Sequence, residues 1–195
     1  YFGGGVRSAA GCQPLRDLIH KAEIPATYTL MAAGVVPYGD PMNIGMVGMH
    51  GCYTSNRAVA ECDVLIAVGT RFSDRVALNP KTFAKNATII QIDIDPSELG
   101  KNVDVDLAIA GDVCYVLSGM LPLIEEKKHP DWMKMIHEWQ AQDYHPVSDP
   151  THLMPHQVIG EVCNQCGPEA VYVTDVGQHQ MWAAQYLRHA KSRGF

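Results

Sequence analysis

Short apolar runs alternate with amphipathic stretches along most of the chain. Residues 64–68 follow Asp63 as a continuous apolar run, which is typical of a parallel strand buried on both faces. Similar patterns predict strands at residues 25–30, 88–94 and 105–110 and the end of a strand at residues 1–2. Amphipathic patterns predict helices at residues 6–19, 56–61, 113–123 and 132–142. This alternation predicts an α/β fold, with an open parallel sheet flanked by helices.

Two stretches interrupt the alternation. Residues 32–53 are rich in Gly, Pro and Met and show no clean period, so we expect a long loop with functional potential there. Residues 143–151 contain several turn formers and predict a linker. The chain therefore divides into a central domain at residues 1–142, whose first strand is truncated, that linker, and an incomplete second domain at residues 152–195.

The second domain begins with a predicted helix from Pro155 to Cys166. The β-branched and aromatic residues 171–174 predict a buried strand, Gly177 a tight turn, and residues 178–188 another helix. We therefore expect a truncated α/β domain.

Composition fits a globular protein. Of 195 residues, 47% are hydrophobic and 18% charged, which allows a sizeable core and argues against disorder. No run approaches the ~20 apolar residues of a membrane span. The net charge is -6 and the Lys and Arg residues are scattered, so we expect neither a membrane nor a nucleic-acid partner. The chain starts at Tyr1 without a signal peptide, so we expect a fragment of a longer cytoplasmic protein, or of a plastid or mitochondrial one in a eukaryote.

The cysteines and histidines predict neither disulfides nor a metal site. The six cysteines are irregularly spaced, which favours reduced thiols. Cys163-Asn-Gln-Cys166 has no second ligand pair at a fitting spacing, so we expect two ordinary thiols. His152 and His156 have no third partner. We expect no metal bound by this segment.

Small or polar residues follow each predicted strand of the central domain. These positions are Gly3-Gly4-Gly5, Thr29-Leu30, Gly69-Thr70-Arg71, Asp93-Ile94-Asp95 and Gly111-Asp112. The carboxyl ends of parallel strands meet at one edge of a sheet, so these residues together predict a dinucleotide site. In such a site the glycines let a phosphate approach the backbone, and a carboxylate accepts hydrogen bonds from the ribose hydroxyls. The alternative is ordinary turns, because any parallel sheet needs them and Gly3-Gly4-Gly5 is not the GxGxxG fingerprint.

Three further features have both a functional and a structural interpretation. The helix start at residues 176–179 offers free N–H groups to a phosphate, or is an ordinary strand-to-helix turn. Arg75 suits bidentate recognition of a 2-oxoacid carboxylate, or is a surface arginine paired with Asp74. His50 is either a structural loop histidine or a cofactor contact, and we assign it to cofactor contact.

Several blocks of the chain resemble acetohydroxyacid synthase (acetolactate synthase), a family of thiamine-diphosphate enzymes, in the same order. They are Tyr1-Phe-Gly-Gly-Gly-Val6, Ile24-Pro-Ala-Thr-Tyr-Thr-Leu-Met31, Gly45-Met-Val-Gly-Met-His-Gly51, Cys62-Asp-Val-Leu-Ile-Ala-Val-Gly-Thr-Arg-Phe-Ser-Asp-Arg75, Ile92-Asp-Ile-Asp-Pro96 and Thr174-Asp-Val-Gly-Gln-His-Gln-Met-Trp-Ala-Ala-Gln185. The family's Gly-Ala-Arg is Gly-Thr-Arg here, and its Phe-Asp-Asp-Arg is Phe-Ser-Asp-Arg. The resemblance spans nearly the whole chain and implies the family's Rossmann-like central domain.

The resemblance also implies site residues. For FAD, the matching positions are Gly3, Gly4, Gly5, Thr29, Leu30, Gly48, Met49, His50, Gly69, Thr70, Arg71, Asp74, Asp93, Ile94, Asp112 and Val113. For thiamine diphosphate they are Val176, Gly177, Gln178 and His179. Arg75 matches the arginine that recognises the acceptor's carboxylate. The family's activating glutamate and its Mg2+-binding Gly-Asp-Gly motif match no part of this chain, so no catalytic residue is expected in it.

The implied activity is carboligation in branched-chain amino-acid biosynthesis. Hydroxyethyl-thiamine diphosphate formed from pyruvate condenses with a second 2-oxoacid to give acetolactate or acetohydroxybutyrate, and the flavin is mainly structural. We expect the fragment to be inactive alone and the full-length subunit to form a homo-oligomer with a regulatory subunit. Two alternatives remain: another thiamine-diphosphate carboligase or decarboxylase, such as a glyoxylate carboligase, and a noncatalytic nucleotide-binding module.

Overall fold

The computed structural model describes residues 1–8 and 10–195. The strands are β1 (Ala26–Tyr28), β2 (Asn43–Met46), β3 (Val64–Val68), β4 (Thr88–Asp93) and β5 (Leu107–Ala110). The helices are α1 (Gly4–Ser8), α2 (Cys12–Lys21), α3 (Tyr53–Glu61), α4 (Val113–Met120), α5 (Pro130–Gln140), α6 (Pro155–Cys166) and α7 (Gln178–Tyr186). Short 3-10 turns cover Leu30–Ala32, Pro96–Glu98 and Leu121–Leu123.

The strands form a parallel array with one point of reversal. β1 pairs with β2, and β3, β4 and β5 pair in that order, all in parallel. Phe2 bridges the two groups through parallel contacts with Tyr28 and Val68. If the segment around Phe2 is counted as the first strand, the spatial order is 3-2-1-4-5-6, the order of a Rossmann-type sheet. The predicted fold class is confirmed, and Phe2 forms isolated parallel bridges where the sequence predicts strand structure.

Apolar side chains fill both faces of this sheet. On one face Phe2 and Ile92 pack with Leu15 and Leu117 of the helices α2 and α4. On the other, Leu65 belongs to a cluster that includes aromatic rings from the loop after β3, with Phe72 and Phe83 at 5.7 Å between centroids. Helix α5 packs separately, placing Ile136 and Trp139 against α3 and β2. These two covered faces explain why the continuous apolar runs form parallel strands.

Two features of the central domain differ from the expectations. The predicted helix at residues 6–19 is two helices, α1 and α2, which meet around Gly11. There a Cβ would come within 2.8 Å of the Val113 side chain. The expected loop at residues 32–53 contains β2, so that prediction is wrong in part. Strand β2 has few apolar residues because it lies at the edge of the sheet. The side chains of Asn43 and Thr27 also form hydrogen bonds with the backbone of β2.

The predicted buried strand at residues 171–174 is wrong. This segment forms no strand, and Val171 and Val173 are 63% and 92% exposed. Only the Tyr172 N–H bonds to a distant backbone carbonyl, that of Gly194 at 2.9 Å. No strand within the described ranges lies beside it, and an isolated extended segment cannot pair its backbone groups.

The end of the chain lies against the central domain. The Tyr38 N–H donates to the His189 carbonyl at 2.9 Å, and Gln185 Nε2 donates to the His50 carbonyl at 3.0 Å. The linker is held as well, because the Asp143 carboxylate accepts from the N–H and hydroxyl of Thr54 at 2.9 and 2.8 Å. No helix in the described part of the chain combines the length and apolar character needed to cross a bilayer.

Candidate functional site

An open pocket of about 880 Å³ lies at the carboxyl edge of the sheet, beside the point where the strand order reverses. This is where ligands bind in open α/β sheets. Its volume falls within the roughly 300–1,000 Å³ typical of ligand sites. The lining residues are Gly3, Gly4, Gly5, Arg7, Ser8, Thr29, Leu30, Met31, Met46, Val47, Met49, His50, Gly69, Thr70, Arg71, Ser73, Arg75, Val76, Asp93, Val176, Gly177, Gln178, Gln180, Met181 and Ala184.

The glycines at the floor of the pocket allow two backbone segments to touch. The Gly5 N–H donates to the Gly69 carbonyl at 3.0 Å. A Cβ on Gly3 would lie 2.5 Å from the Gly69 oxygen, and one on Gly69, where φ is +56°, would lie 2.8 Å from the Gly5 Cα. Glycine is therefore required here for the approach of the segment after Phe2 to the end of β3. The same approach leaves the floor free of side chains.

Basic side chains dominate the wall of the pocket. Arg7, Arg71 and Arg75 line it together with a single carboxylate, Asp93. None of these arginines forms a salt bridge within residues 1–8 and 10–195. The geometry therefore does not support the alternative in which Arg75 is a surface arginine paired with Asp74. Arginines without a protein counter-ion suit an anionic ligand.

Asp93 ends β4 and is 8% exposed. Its Oδ1 accepts from the Asp95 N–H at 3.0 Å, which fixes the carboxylate at the sheet edge. A carboxylate at this position can accept hydrogen bonds from ribose hydroxyls.

The loop at residues 48–51 forms another wall. The Met49 N–H donates to the Arg75 carbonyl at 2.8 Å, which ties this loop to the arginine segment. Asn56 holds Gly48 from behind through bonds of 2.9 and 3.1 Å to its N–H and carbonyl. Met49 and His50 consequently line the pocket.

A buried pair of hydroxyls supports the floor. The Thr70 hydroxyl donates to the Tyr1 phenolic oxygen at 2.7 Å. Burial raises the pKa of the Tyr1 phenol to about 12, so the ring stays neutral throughout the physiological range. This contact positions the end of β3, where Thr70 follows Gly69.

Helix α7 begins at the same pocket. Gly177 precedes it with φ +152°, and Val176, Gly177 and Gln178 line the pocket. The N–H groups of Gln180 and Met181 already donate to the Gly177 carbonyl. The N–H groups of the first turn before them have no partner inside the helix and are suited to an anion. The pocket thus brings together residues that the sequence assigned to two different cofactors.

Several predicted cofactor residues do not line the pocket. His179 folds back, with ring atoms 3.2 Å from the position of a Cβ on Gly177. Asp112 instead caps helix α4 by accepting from the Tyr115 N–H at 3.1 Å, and Val113 is in the core at 2% exposure. The remaining residues outside the lining are Gly48, Asp74 and Ile94.

Ser73 and Asp74 differ in their position relative to the pocket. The sequence pattern pointed to Asp74, yet Ser73 lines the pocket and Asp74 is exposed outside it. The loop turns at this point, since the N–H groups of Val76 and Ala77 both donate to the Ser73 carbonyl. The departure from the family's Phe-Asp-Asp-Arg pattern therefore falls on the position that faces the pocket.

The sequence pattern did not single out other lining residues, notably Arg7, Met31, Gln180 and Met181. Arg7 was detectable in principle, because it lies one helical turn after Gly3 at a strand end. Gln180 and Met181 were not, because only tertiary packing brings helix α7 to the sheet edge.

A second cavity of about 900 Å³ lies on the other side of the His50 loop. Met46, His50 and Ala184 line both cavities. The second cavity is lined by tyrosines, histidines, amides and the carboxylates Asp40 and Asp143, and its lining within the described residues includes neither Lys nor Arg. The two cavities therefore differ in charge.

No group of three or more His, Cys, Asp or Glu side chains in residues 1–8 and 10–195 could hold a metal ion. All six cysteines are free thiols. Burial raises the pKa of the Cys52 and Cys62 thiols, which disfavours the reactive thiolate.

Comparison with known proteins agrees with this geometry. The acetolactate synthase of Mycobacterium leprae (strain TN) is 43% identical over 202 residues, which cover 99% of this chain and 32% of that protein. The acetolactate synthase large subunits of Parasynechococcus marenigrum (strain WH8102) and Porphyra purpurea are each 41% identical, over 97% and 96% of this chain and 31% and 33% of their own lengths. The chain thus spans about a third of the length of these curated relatives.

These relatives confirm the resemblance drawn from the sequence blocks. Residues 1–120 also match the family model described as thiamine pyrophosphate enzyme, central domain. The matched residues contain the whole parallel sheet and most of the pocket lining. The chain therefore belongs to the thiamine pyrophosphate enzymes, and its residues 1–120 are their central domain.

Proposed function

We propose that this chain is part of the catalytic large subunit of an acetolactate synthase. The whole enzyme joins two 2-oxoacids to give acetolactate or acetohydroxybutyrate in branched-chain amino-acid biosynthesis. One observation carries the proposal: a single pocket collects the strand-end residues, Arg75 and the start of helix α7. The names of the similar relatives support the choice of reaction.

FAD is the nucleotide that we propose for the sheet edge. The pocket lies beside the strand-order reversal and has a floor of glycines. It also has arginines that form no salt bridge among the described residues and the carboxylate of Asp93 at the end of β4, and these features fit an adenine dinucleotide. The proposed FAD residues that line the pocket are Gly3, Gly4, Gly5, Thr29, Leu30, Met49, His50, Gly69, Thr70, Arg71 and Asp93. The flavin has a mainly structural part in this proposal.

Thiamine diphosphate is proposed for the start of helix α7. Val176, Gly177 and Gln178 line the pocket there, and the first turn of a helix favours a diphosphate. When bound, thiamine diphosphate supplies the nucleophilic carbon for 2-oxoacid chemistry, while protein groups bind and orient it. The Mg2+ that accompanies it is assigned ligands outside this segment.

Arg75 is proposed to bind the carboxylate of the acceptor 2-oxoacid. Arg75 lines the pocket and forms no salt bridge among the described residues, and its own carbonyl is held by the Met49 N–H. A planar guanidinium can make two parallel hydrogen bonds to a carboxylate, which orients the substrate as well as binding it.

The proposal keeps the division into a central domain at residues 1–142, a linker at 143–151 and the start of a second domain at 152–195. It also includes a homo-oligomer of the full-length subunit. The large-subunit names of the relatives support a smaller regulatory partner.

Flavin binding tests the pocket directly. The purified chain is mixed with FAD, desalted, and examined for retained flavin absorbance. We expect retention by the wild-type chain and its loss in Arg71→Ala. Arg57→Ala is the matched control, because Arg57 is an exposed arginine paired with Glu61 at 3.1 Å and outside the pocket. Equal retention by all three proteins would contradict the FAD assignment.

Product analysis tests the reaction. The full-length protein is supplied with pyruvate, thiamine diphosphate, Mg2+ and FAD, and we expect acetolactate. Arg75→Lys should raise KM for the 2-oxoacid about tenfold or more, because a lysine cannot pair bidentately. Products of glyoxylate condensation in place of acetolactate would favour the glyoxylate carboligase alternative, and nucleotide binding without any product would favour a noncatalytic module.

A further inference from the structure

The second cavity, on the far side of the His50 loop, has an acidic and aromatic lining. Its carboxylates are Asp40 and Asp143, and within the described part of the chain its lining includes neither Lys nor Arg. Its volume of about 900 Å³ is sufficient for a small organic molecule. The tyrosines of the lining are Tyr28, Tyr38, Tyr53, Tyr144 and Tyr186.

Hydrogen bonds hold both carboxylates of this cavity in place. Asp143 accepts from the N–H and the hydroxyl of Thr54 at 2.9 and 2.8 Å. Asp40 accepts from the Met42 N–H at 2.9 Å, and its other oxygen lies 3.0 Å from His20 Nε2. Neither carboxylate forms a salt bridge with Lys or Arg within residues 1–8 and 10–195. When His20 is neutral, all of these donors are uncharged, so the negative charge of the cavity is not offset and favours a cation.

The tyrosines add aromatic rings to this negative charge. The face of an aromatic ring attracts a cation, and the attraction grows where water is excluded. Burial raises the pKa of Tyr28 to about 12, and burial also raises the pKa of Tyr186. Both phenols are therefore neutral near pH 7 and keep their acceptor oxygens.

His189 contributes an acceptor that has no donor. The residue lines the cavity and is 6% exposed, and its Nε2 has no hydrogen-bond partner in the described residues. Burial lowers the pKa of His189, which favours the neutral ring. A backbone hydrogen bond with Ala184 acts in the opposite direction, which indicates that the ring donates there and leaves Nε2 as the acceptor. A buried acceptor without a donor is costly, and an N–H group of a ligand would relieve that cost.

We propose that this cavity binds an organic cation with a protonated amine, whose charge is balanced by the Asp40 and Asp143 carboxylates and whose apolar part packs on the tyrosine rings. The inference goes beyond the proposed function and does not depend on it, because the cofactors are assigned to the other cavity. An anionic ligand is disfavoured here, since no Lys or Arg in the described lining would balance its charge.

Benzylamine and benzyl alcohol are a matched pair of probes. They have the same ring and nearly the same size, and at about pH 8 the amine is charged while ordinary histidines are neutral. Each is titrated into the isotope-labelled 195-residue chain and followed by the NMR shifts of the backbone amides. We expect saturable shifts at Gly34 and Gly39, which line only this cavity, and benzylamine should bind about tenfold tighter than benzyl alcohol at low salt.

Asp40→Asn tests the carboxylate. It should weaken benzylamine about fivefold and leave benzyl alcohol within about twofold, because it removes a charge and keeps an acceptor of similar shape. Asp149→Asn is the matched control and should leave both probes within about twofold of the wild type. Like Asp40, Asp149 accepts from the N–H two residues further on, that of Thr151, and contacts a histidine, His152, but it lies outside the cavity.

Tyr53→Leu tests the aromatic part of the site. It should weaken benzylamine about threefold, whereas Tyr53→Phe keeps the ring and should stay within about twofold of the wild type. Tyr115→Leu is the control, because Tyr115 is 82% exposed and outside the cavity. Circular dichroism and thermal unfolding establish that each variant is folded.

Four results would overturn the inference. Equal affinity for the two probes would show that charge is not recognised, and equal weakening by Asp40→Asn and Asp149→Asn would assign the effect to overall charge. Shifts confined to Gly3 and Gly69 would place the probe in the first pocket. Binding to the 195-residue chain but not to the full-length protein, measured by equilibrium dialysis, would show that the rest of the protein fills the cavity. If the full-length protein forms acetolactate and benzylamine does not bind, this inference fails while the proposed function stands.

Discussion

Two apolar runs of similar composition adopt different structures in this molecule. Residues 64–68 form strand β3, which pairs with β4 along its length and places Leu65, Ala67 and Val68 in the core. Residues 171–174 have a similar β-branched and apolar content, yet they form no strand and leave Val173 92% exposed. A run of residues with high β propensity therefore becomes a strand only where neighbouring backbone is available to pair with it.

The difference extends to the elements around the two runs. β3 has β4 on one side, the Phe2 segment on the other and packed clusters on both faces. The segment at residues 171–174 is followed by helix α7, which is anchored elsewhere, on the His50 loop. The central domain thus supplies its own pairing partners, whereas the segment at residues 171–174 has only the Gly194 carbonyl as a distant backbone partner.

Truncating one side chain in each run should give the largest contrast. Leu65→Ala removes a side chain that is 5% exposed and should lower the free energy of unfolding by about 3 kcal/mol, because it leaves a cavity among packed rings. Val173→Ala removes an exposed methyl pair and should change it by less than about 0.5 kcal/mol. Urea denaturation followed by circular dichroism measures both, and equal losses would contradict the contrast.

Two glycines with positive φ give a second matched pair. In Gly69→Ala the new Cβ would meet the Gly5 backbone at 2.8 Å, so we expect a loss of about 2 to 3 kcal/mol from strain and overpacking. Gly167 has φ +74° and ψ −179°, a conformation essentially confined to glycine, but no atom lies within 4 Å of a Cβ, so Gly167→Ala should cost about 1 to 2 kcal/mol from backbone strain alone. Similar melting temperatures for the two variants would argue against the close approach of the backbones.

The linker contact should have a smaller effect. Asp143→Ala removes the carboxylate that accepts from both groups of Thr54 at the start of helix α3 and should cost about 1 kcal/mol. Asp149→Ala is the control, because Asp149 bonds only to nearby groups of the exposed turn at Thr151 and His152. Hydrogen exchange at the amides of α3 measures the effect locally. Undiminished protection of these amides in Asp143→Ala would show that the linker does not stabilise the helix.

The smallest expected effect depends on pH. His189 is 6% exposed, its Nε2 has no hydrogen-bond partner in the described residues, and burial lowers its pKa. Below about pH 6.5, His189 binds a proton when its segment is unfolded or detached, whereas burial opposes protonation when the segment is packed. The attachment of this segment to the central domain therefore weakens as pH falls. The protection factor of the Tyr38 amide, which bonds to the His189 carbonyl, should fall over this range.

His189→Leu should abolish that pH dependence, because it removes the titrating group and keeps an apolar side chain. His152→Gln is the control, since His152 lies in an exposed turn. If the Tyr38 protection factor in His189→Leu still falls with acid as in the wild type, another group is responsible.

The parallel sheet was predictable because each of its long strands has a local signal. Residues 88–94 and 105–110 show apolar runs, and the structure places β4 and β5 within them. β4 is buried for most of its length, whereas β5 lies at the other edge of the sheet and is mostly exposed. The edge strand β2 was not predictable, because Asn43 and Gly45 break its apolar pattern and its backbone is satisfied partly by side chains. Edge strands need less apolar sequence than central ones.

The residues of the pocket were likewise predictable only in part. Gly3, Gly69 and Asp93 were found from the sequence, because strand-end residues of a parallel sheet must meet at one edge. The sequence pattern assigned Asp74 to the cofactor and gave Ser73 no role, whereas Ser73 lines the pocket, because the direction of a side chain in a turn depends on the backbone of that turn. The assignment of Asp112 also missed its local role as a helix cap.

By itself, the sequence determined the central α/β sheet, the chemistry collected at its carboxyl edge and the family to which the chain belongs. These follow from periodicity and from motifs whose residues are close along the chain. Only the tertiary structure decided that helix α7 closes the same pocket, that Arg7 and Ser73 face it, and that residues 171–174 remain unpaired. Those outcomes depend on which surfaces and backbone edges come into contact in the folded protein, and these contacts cannot be inferred from a local pattern of residues.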